Sequence, residues 1–147
     1  MTAALRVLFR VLLVVGGVLA VMIIAVIGLF WFYMPDMCGN EIIAQFPSPQ
    51  GTRKVVVFQR DCGATTGFST HASIIGISQV LENEAGNVFA SDTDRGLAPS
   101  GPGGGPALAV AWQSENSVRL SFHPKARVFK RESEVEGIHV TYAFSEK

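Results

Sequence analysis

Charge is missing from one long stretch of this chain, and a helical period is missing from the rest. Residues 11–34 contain no Asp, Glu, Lys, Arg or His. After residue 34 no segment keeps apolar residues at sustained three-to-four spacing, which excludes a helical bundle. A Gly-x-Ser-x-Gly nucleophile elbow is absent. The Gly103–Gly105 run leads into an extended segment rather than a helix N-terminus, so it lacks the form of a phosphate loop. Twelve Lys/Arg balance twelve Asp/Glu, and the basic surface that nucleic acid requires is missing. No internal repeat is long enough for a solenoid or propeller.

The uncharged stretch covers 24 residues. As a helix it reaches about 36 Å, enough to cross a hydrocarbon core of roughly 30 Å with some tilt. Val, Leu and Ile dominate it, and they partition favourably into mid-bilayer. Phe30, Trp31, Phe32 and Tyr33 close it with the amphipathic rings of an interfacial belt. Pro35 is expected to stop the helix. Arg6 and Arg10 precede the run, while Asp36 and Glu41 follow it. Positive charge stays on the cytoplasmic side, so the sequence predicts three regions. Residues 1–10 form a cytoplasmic N-terminus, residues 11–34 a transmembrane helix, and residues 35–147 an extracytoplasmic β-rich domain of net charge −2.

A cleaved signal peptide would have a shorter apolar core, of about 7–15 residues, and small residues at the cleavage site. Phe30–Tyr33 followed by Met34 and Pro35 does not supply one. Lipidation at Cys38 would need small residues where Pro35, Asp36 and Met37 stand. Gly16 and Ala20 form a small-xxx-small pair through which two spans could approach, weak grounds for a homodimer.

Cys38 and Cys62 are the only cysteines, and both lie beyond the span. An extracytoplasmic compartment is oxidising, so they are expected to pair. The closed loop of about 25 residues would stabilise a small domain by roughly 3–4 kcal/mol in the chain-entropy picture. It would also tie the segment after the membrane to the core. The alternative, a reactive Cys62 served by His71, needs a base or helix N-terminus close by, and the sequence places neither beside it.

The domain reads as six to eight short, mostly antiparallel strands in a small sandwich or twisted sheet. Residues 42–46 and 53–60 form the first two, joined by a Pro-Gly turn at residues 47–52. Val55 and Val57 point one way, Val56 and Phe58 the other, as in a strand covered on both sides. Residues 72–78 and 88–90 continue the pattern, with one helical turn expected near residues 79–85. Residues 91–106 are expected to be a long flexible loop. Residues 108–112 and 117–122 flank a four-residue hairpin loop. Residues 126–131 are expected to pair with residues 135–144 in a last hairpin, in which Ile138, Val140, Tyr142 and Phe144 alternate with polar residues. Lys125, Arg127, Lys130 and Arg131 are followed by Glu132, Glu134 and Glu136, as on a solvated hairpin.

Candidate sites are sparse. Asp92, Asp94 and Gly96 faintly resemble a calcium loop, but the distal bidentate acid is missing and Arg95 opposes a cation; a polar turn is expected. His71, His123 and His139 lack metal spacing. His123 and His139 share polar strand faces and are expected to be neighbours, without a third ligand. No cofactor or metal is expected. The most distinctive stretch runs from Arg60 through Asp61, Cys62, Thr65, Thr66, Phe68, Ser69 and Thr70 to His71. It is expected to be an ordered loop held by side-chain-to-backbone bonds, or a recognition surface on a rigid frame.

At this stretch the chain resembles a group of short bacterial proteins of unknown function, membrane-anchored or exported. They share a Ser-Pro-Asp-Gly-like turn, a strand, and an Asp-Cys-Gly-Ala-Thr-Thr signature. Here these are Ser48 to Gly51, Val55 to Phe58, and Asp61 to Thr66. Asn87, Val88, Phe89 and Trp112 are similar too. Gln50 replaces the turn's usual acid. The resemblance covers roughly residues 38–122 and implies a bacterial envelope protein, with no chemistry attached. Three functions follow as expectations. The first is a non-catalytic inner-membrane-anchored module that contacts another envelope protein. The second is a hydrolase-like enzyme using Asp61, His71 or a hydroxyl. The third is an immunity-type protein with an acidic patch.

Overall fold

The computed structural model describes residues 3–33, 38–63 and 67–145. Two compact units divide the chain, residues 1–36 and 37–147. The first holds a single helix, α1 (Ala3–Tyr33). It is apolar all round, and its large apolar side chains from Leu5 to Tyr33 are each at least 49% exposed. A helix greasy on every side is at home only in an apolar surrounding, and this one is long and apolar enough to cross a bilayer. It begins before the uncharged stretch, so Arg6 and Arg10 lie within its first turns. Most of the expected N-terminal tail is therefore helical. Met34 and Pro35, the expected helix stop, fall outside the described residues.

The second unit is mainly antiparallel β. Its strands are β1 (Gly39–Pro47), β2 (Arg53–Asp61), β3 (Ser69–Gly76), β4 (Phe89–Asp92), β5 (Leu108–Ser114), β6 (Ser117–Phe122), β7 (Arg127–Arg131), β8 (Glu134–Val135) and β9 (Ile138–Phe144). They form a five-stranded sheet in the order β1-β2-β3-β4-β7 and a four-stranded sheet in the order β5-β6-β9-β8. The sheets share one core. Val55, Val57, Ala72, Ile74 and Phe89 from the first sheet meet Val118, Leu120, Phe122, Ile138 and Val140 from the second. The Phe89 and Phe122 rings lie 5.0 Å apart at its centre. At one end Glu115, in the β5–β6 turn, accepts bonds from Ser48 Oγ (2.8 Å), Thr52 Oγ1 and the Gln50 amide (2.8 Å). That carboxylate joins the turns of the two sheets.

The outer face of the five-stranded sheet is buried too, as the two-faced pattern of β2 requires. Val56 and Phe58 are 1% and 0% exposed. Residues 77–88 run as a strap without helix or strand, and side-chain-to-backbone bonds running in both directions tie it down. Asn40 donates to the carbonyls of Glu82 (3.0 Å) and Glu84 (2.8 Å). Asn83 donates to the carbonyl of Cys38 (2.8 Å). Asn87 brackets Ile74, accepting from its amide and donating to its carbonyl. Polar side chains thus stand in for a neighbouring strand. The expected helical turn near residues 79–85 is replaced by this strap.

Three other expectations change. The loop at residues 91–106 is packed, not flexible. Its first two residues belong to β4, and Gly101 donates to the Gly105 carbonyl at 2.7 Å. Gly103, Gly104 and Gly105 lie against Gln59, Phe68 and Thr70, where a side chain would find no room. Glycine at these positions marks close packing rather than freedom. Second, the hairpin loop between β5 and β6 has two residues, Glu115 and Asn116.

Third, residues 126–131 do not pair with residues 135–144. Strand β7 adds to β4 in the first sheet, and β9 lies parallel to β6 inside the second. The division follows charge. Strand β7 carries three cations in five residues and suits an edge, whereas β9 has an apolar row that needs a neighbour on each side. Parallel pairing sets His139 beside Ser117 and His123 beyond Phe122. The two histidines are therefore at opposite ends of the strand pair, roughly 20 Å apart, and not neighbours.

Leu120 is fully buried at the centre of the shared core. Leu120→Ala should lower stability by about 2–5 kcal/mol, read by urea denaturation of the full chain in detergent. Gly105→Val drives a side chain into the Thr70 amide and the Ser69 carbonyl carbon, neither of which can swing aside. It should cost about 1–3 kcal/mol in the same measurement.

Candidate recognition groove

The distinctive stretch is not one loop. Arg60 and Asp61 end β2, Ser69 and His71 open β3, and Phe68 stands in the connection between them. Thr65 and Thr66 fall outside the described residues. The sulfurs of Cys38 and Cys62 lie at bonding distance, closing the mouth of β1 onto the end of β2. Asp61 accepts from the Gly63 amide at 2.9 Å, capping its own turn. Thr70 points to the opposite face and donates to the Pro106 carbonyl at 2.7 Å.

Register brings a polar row together across four strands. Arg60 is paired with Ser69, Ser69 with Asp92, and Asp92 with Arg127. Successive cross-strand partners share one face, so all four side chains belong to the outer face of the five-stranded sheet. They line a groove of about 390 Å³ that Cys62, Gly67 and Phe129 complete. Arg60 is held by the side-chain oxygens of Asn40 (2.7 Å) and Asn83 (3.4 Å). Arg127 pairs with Asp92, and its guanidinium lies 5.0 Å from the centre of the Phe129 ring. Burial acts to raise the Asp92 carboxyl, but the Arg127 guanidinium and the Asp94 amide outweigh it and hold it below the usual range. Phe129 is 58% exposed.

His71 sits beneath this row, only 7% exposed. Its ring stacks on Phe58 at 5.6 Å. The Gly86 amide donates to Nδ1 at 3.0 Å. An amide can only donate, so Nδ1 carries the lone pair and Nε2 carries the proton. Nε2 lies 3.0 Å from Ser69 Oγ and therefore donates to it. The Ser69 hydroxyl in turn reaches the Arg60 carbonyl at 3.0 Å. A general base for Ser69 would need the reverse polarity at Nε2. Burial, then the nearby Arg60 and Lys130 charges, lower the imidazole to about 4. The pair has the wiring of a structural bond rather than of a nucleophile and its base.

The sequence places Asp92 in a polar turn and Arg127 in a solvated hairpin, and gives Phe129 no role. Nothing local in the sequence joins them to Arg60; only the β3–β4 and β4–β7 pairings do. The Asp92–Gly96 segment is a polar turn, with the Asp94 amide bonded to the Asp92 carboxylate at 2.8 Å. Asp92 is committed to Arg127, which leaves it poorly placed for a cation. No group of three or more metal-ligating side chains occurs among the described residues.

No family model, curated protein or solved structure matches the chain.

Below about pH 6.5 an unfolded chain protonates His71, while the folded chain resists until about pH 4. The unfolded state then binds the extra proton, so stability contributed by the neutral ring is present above pH 6.5 and is lost as pH falls towards 4. His71→Asn should flatten the pH slope of stability in that window. Nitrogen chemical shifts should show the Nε2-protonated neutral ring at pH 6.

Proposed function

We propose that this chain is a single-pass membrane protein of the bacterial envelope whose β domain is a non-catalytic binding module. In this reading α1 spans the inner membrane with Arg6 and Arg10 held in the cytoplasm. The domain lies in the periplasm, where Cys38 and Cys62 are oxidised. The length and all-round apolarity of α1 support the span, and the flanking charges support its direction. The resemblance to short membrane-anchored or exported bacterial proteins supports the envelope.

The groove formed by Arg60, Ser69, Asp92, Arg127 and Phe129 is the contact surface in this proposal. One observation carries the non-catalytic part. His71, among the described residues the only buried imidazole beside a hydroxyl, donates to Ser69 instead of accepting from it. Asp61, the other candidate of a hydrolase reading, caps its own turn by accepting from the Gly63 amide. What the groove offers is an exposed aromatic ring flanked by guanidinium and carboxylate. That combination suits a protein or peptide partner, since aromatic and Arg side chains dominate binding energy at interfaces.

A photo-crosslinking residue in place of Phe129, in living cells, should trap a discrete protein adduct. The same residue in place of Thr141, on the outer face of the other sheet and in a strand that does not pair with β5, should trap none. An adduct at Thr141 and not at Phe129 would overturn the assignment of the groove. A reporter fused after residue 147 should be active only in the periplasm, and cytoplasmic activity would reverse the topology.

A further inference from the structure

The sandwich has four strand edges, and three of them are blocked. Strand β7 carries Arg127, Lys130 and Arg131. Strand β1 carries Glu41, an irregularity between Ile42 and Ala44, and Pro47 at its end. Strand β8 has two residues. Charge, bulges, proline and shortness are the usual protections against edge-to-edge pairing. Strand β5 has none of them from Leu108 to Trp112: Leu-Ala-Val-Ala-Trp has no charge, no Pro and no Gly, and is in regular register with β6. Its only neighbour in the sheet is β6. Among the described residues, no hydrogen bond beyond the sheet is made by its backbone from Leu108 to Trp112.

We propose that β5 is a self-association edge, at which two copies of this chain pair antiparallel and join their four-stranded sheets into one eight-stranded sheet. The strand is its own complement. A two-fold axis at Val110 sets Val110 opposite Val110, Leu108 opposite Trp112 and Ala109 opposite Ala111. This register keeps Leu108, Val110 and Trp112 of both copies on the core-facing side, as the two-residue period demands. These three are half-buried although they pack against the core, so a second copy has surface left to cover. On the outer side only alanines face each other, and their small side chains let the strands close to normal spacing. Identical strands bring identical charges together; with no charge on β5, self-pairing meets no repulsion. An isologous two-fold contact is the commonest form of homodimer.

The test uses the full chain in detergent. Val110→Cys should give a covalent dimer on mild oxidation, because the axis brings that residue against its own copy. Phe129→Cys, on the cationic edge, should not. Ala109→Glu with Ala111→Glu sets like charges facing each other at two symmetric positions. It should weaken the dimer at least about tenfold by sedimentation equilibrium. Ala109→Lys with Ala111→Glu sets opposite charges at the same places and should restore it, with unchanged circular dichroism in both. A chain that sediments as a monomer overturns the proposal. So does a dimer that survives the two glutamates, since it would be held elsewhere, for instance through Gly16 and Ala20.

Discussion

Strand β2 is apolar on both faces, and that doubles the burial problem for a domain of this size. One face is covered by a second sheet, the ordinary solution for a sandwich. The other is covered by residues 77–88, which have no repeating structure of their own. A segment pressed onto a sheet without pairing leaves its amides and carbonyls in need of partners, and each unmet buried group is costly. Asn40, His71 and Ser73 supply such partners, while Asn83 and Asn87 of the segment bond backbone groups of Cys38 and Ile74 in return. Much of the conspicuous polar chemistry near β2 and β3 therefore serves the covering of Phe58 and Val56.

This explains why His71 looks functional in the sequence and is wired otherwise. It follows a hydroxyl-rich stretch and the acid Asp61, the neighbourhood expected of a catalytic imidazole. Its Nδ1 is needed by a strap amide, which fixes the tautomer and turns Nε2 into a donor. A pressure to bury Phe58 has decided the protonation state of a residue beside the groove. The groove owes its shape to the same arrangement, since Arg60 is held in place by Asn40 and by Asn83 of the strap.

The parts of the fold legible in the sequence are those with a short-range signal. The uncharged run became α1, and the Val55–Phe58 alternation marked a strand covered twice. Cys38 and Cys62 were paired by compartment and count. The strap was hidden because the bonds that hold it over the sheet link residues from 13 to 45 positions apart, such as Ile74 with Asn87 and Cys38 with Asn83, and leave no local period. The separation of β7 from β9 was hidden as well. Two strands joined by a few residues form a hairpin by default, and only the competition between a cationic edge and an apolar interior separates them. The candidate site was half visible for the same reason. Arg60, Ser69 and His71 lie close in sequence, whereas Asp92, Arg127 and Phe129 join them only through cross-strand register.

The parallel pairing of β6 and β9 has a consequence for biogenesis. Strand β9 is an interior strand of its sheet, yet it comes last in chain order among the described strands. Until residue 144 has been synthesised, β6 lacks its inner neighbour and the core lacks Ile138, Val140 and Tyr142. A nascent chain stalled earlier would present two naked strand borders and half an oily interior to whatever surrounds it. The core is thus completed only when the seven-residue β9 is available to act as its keystone.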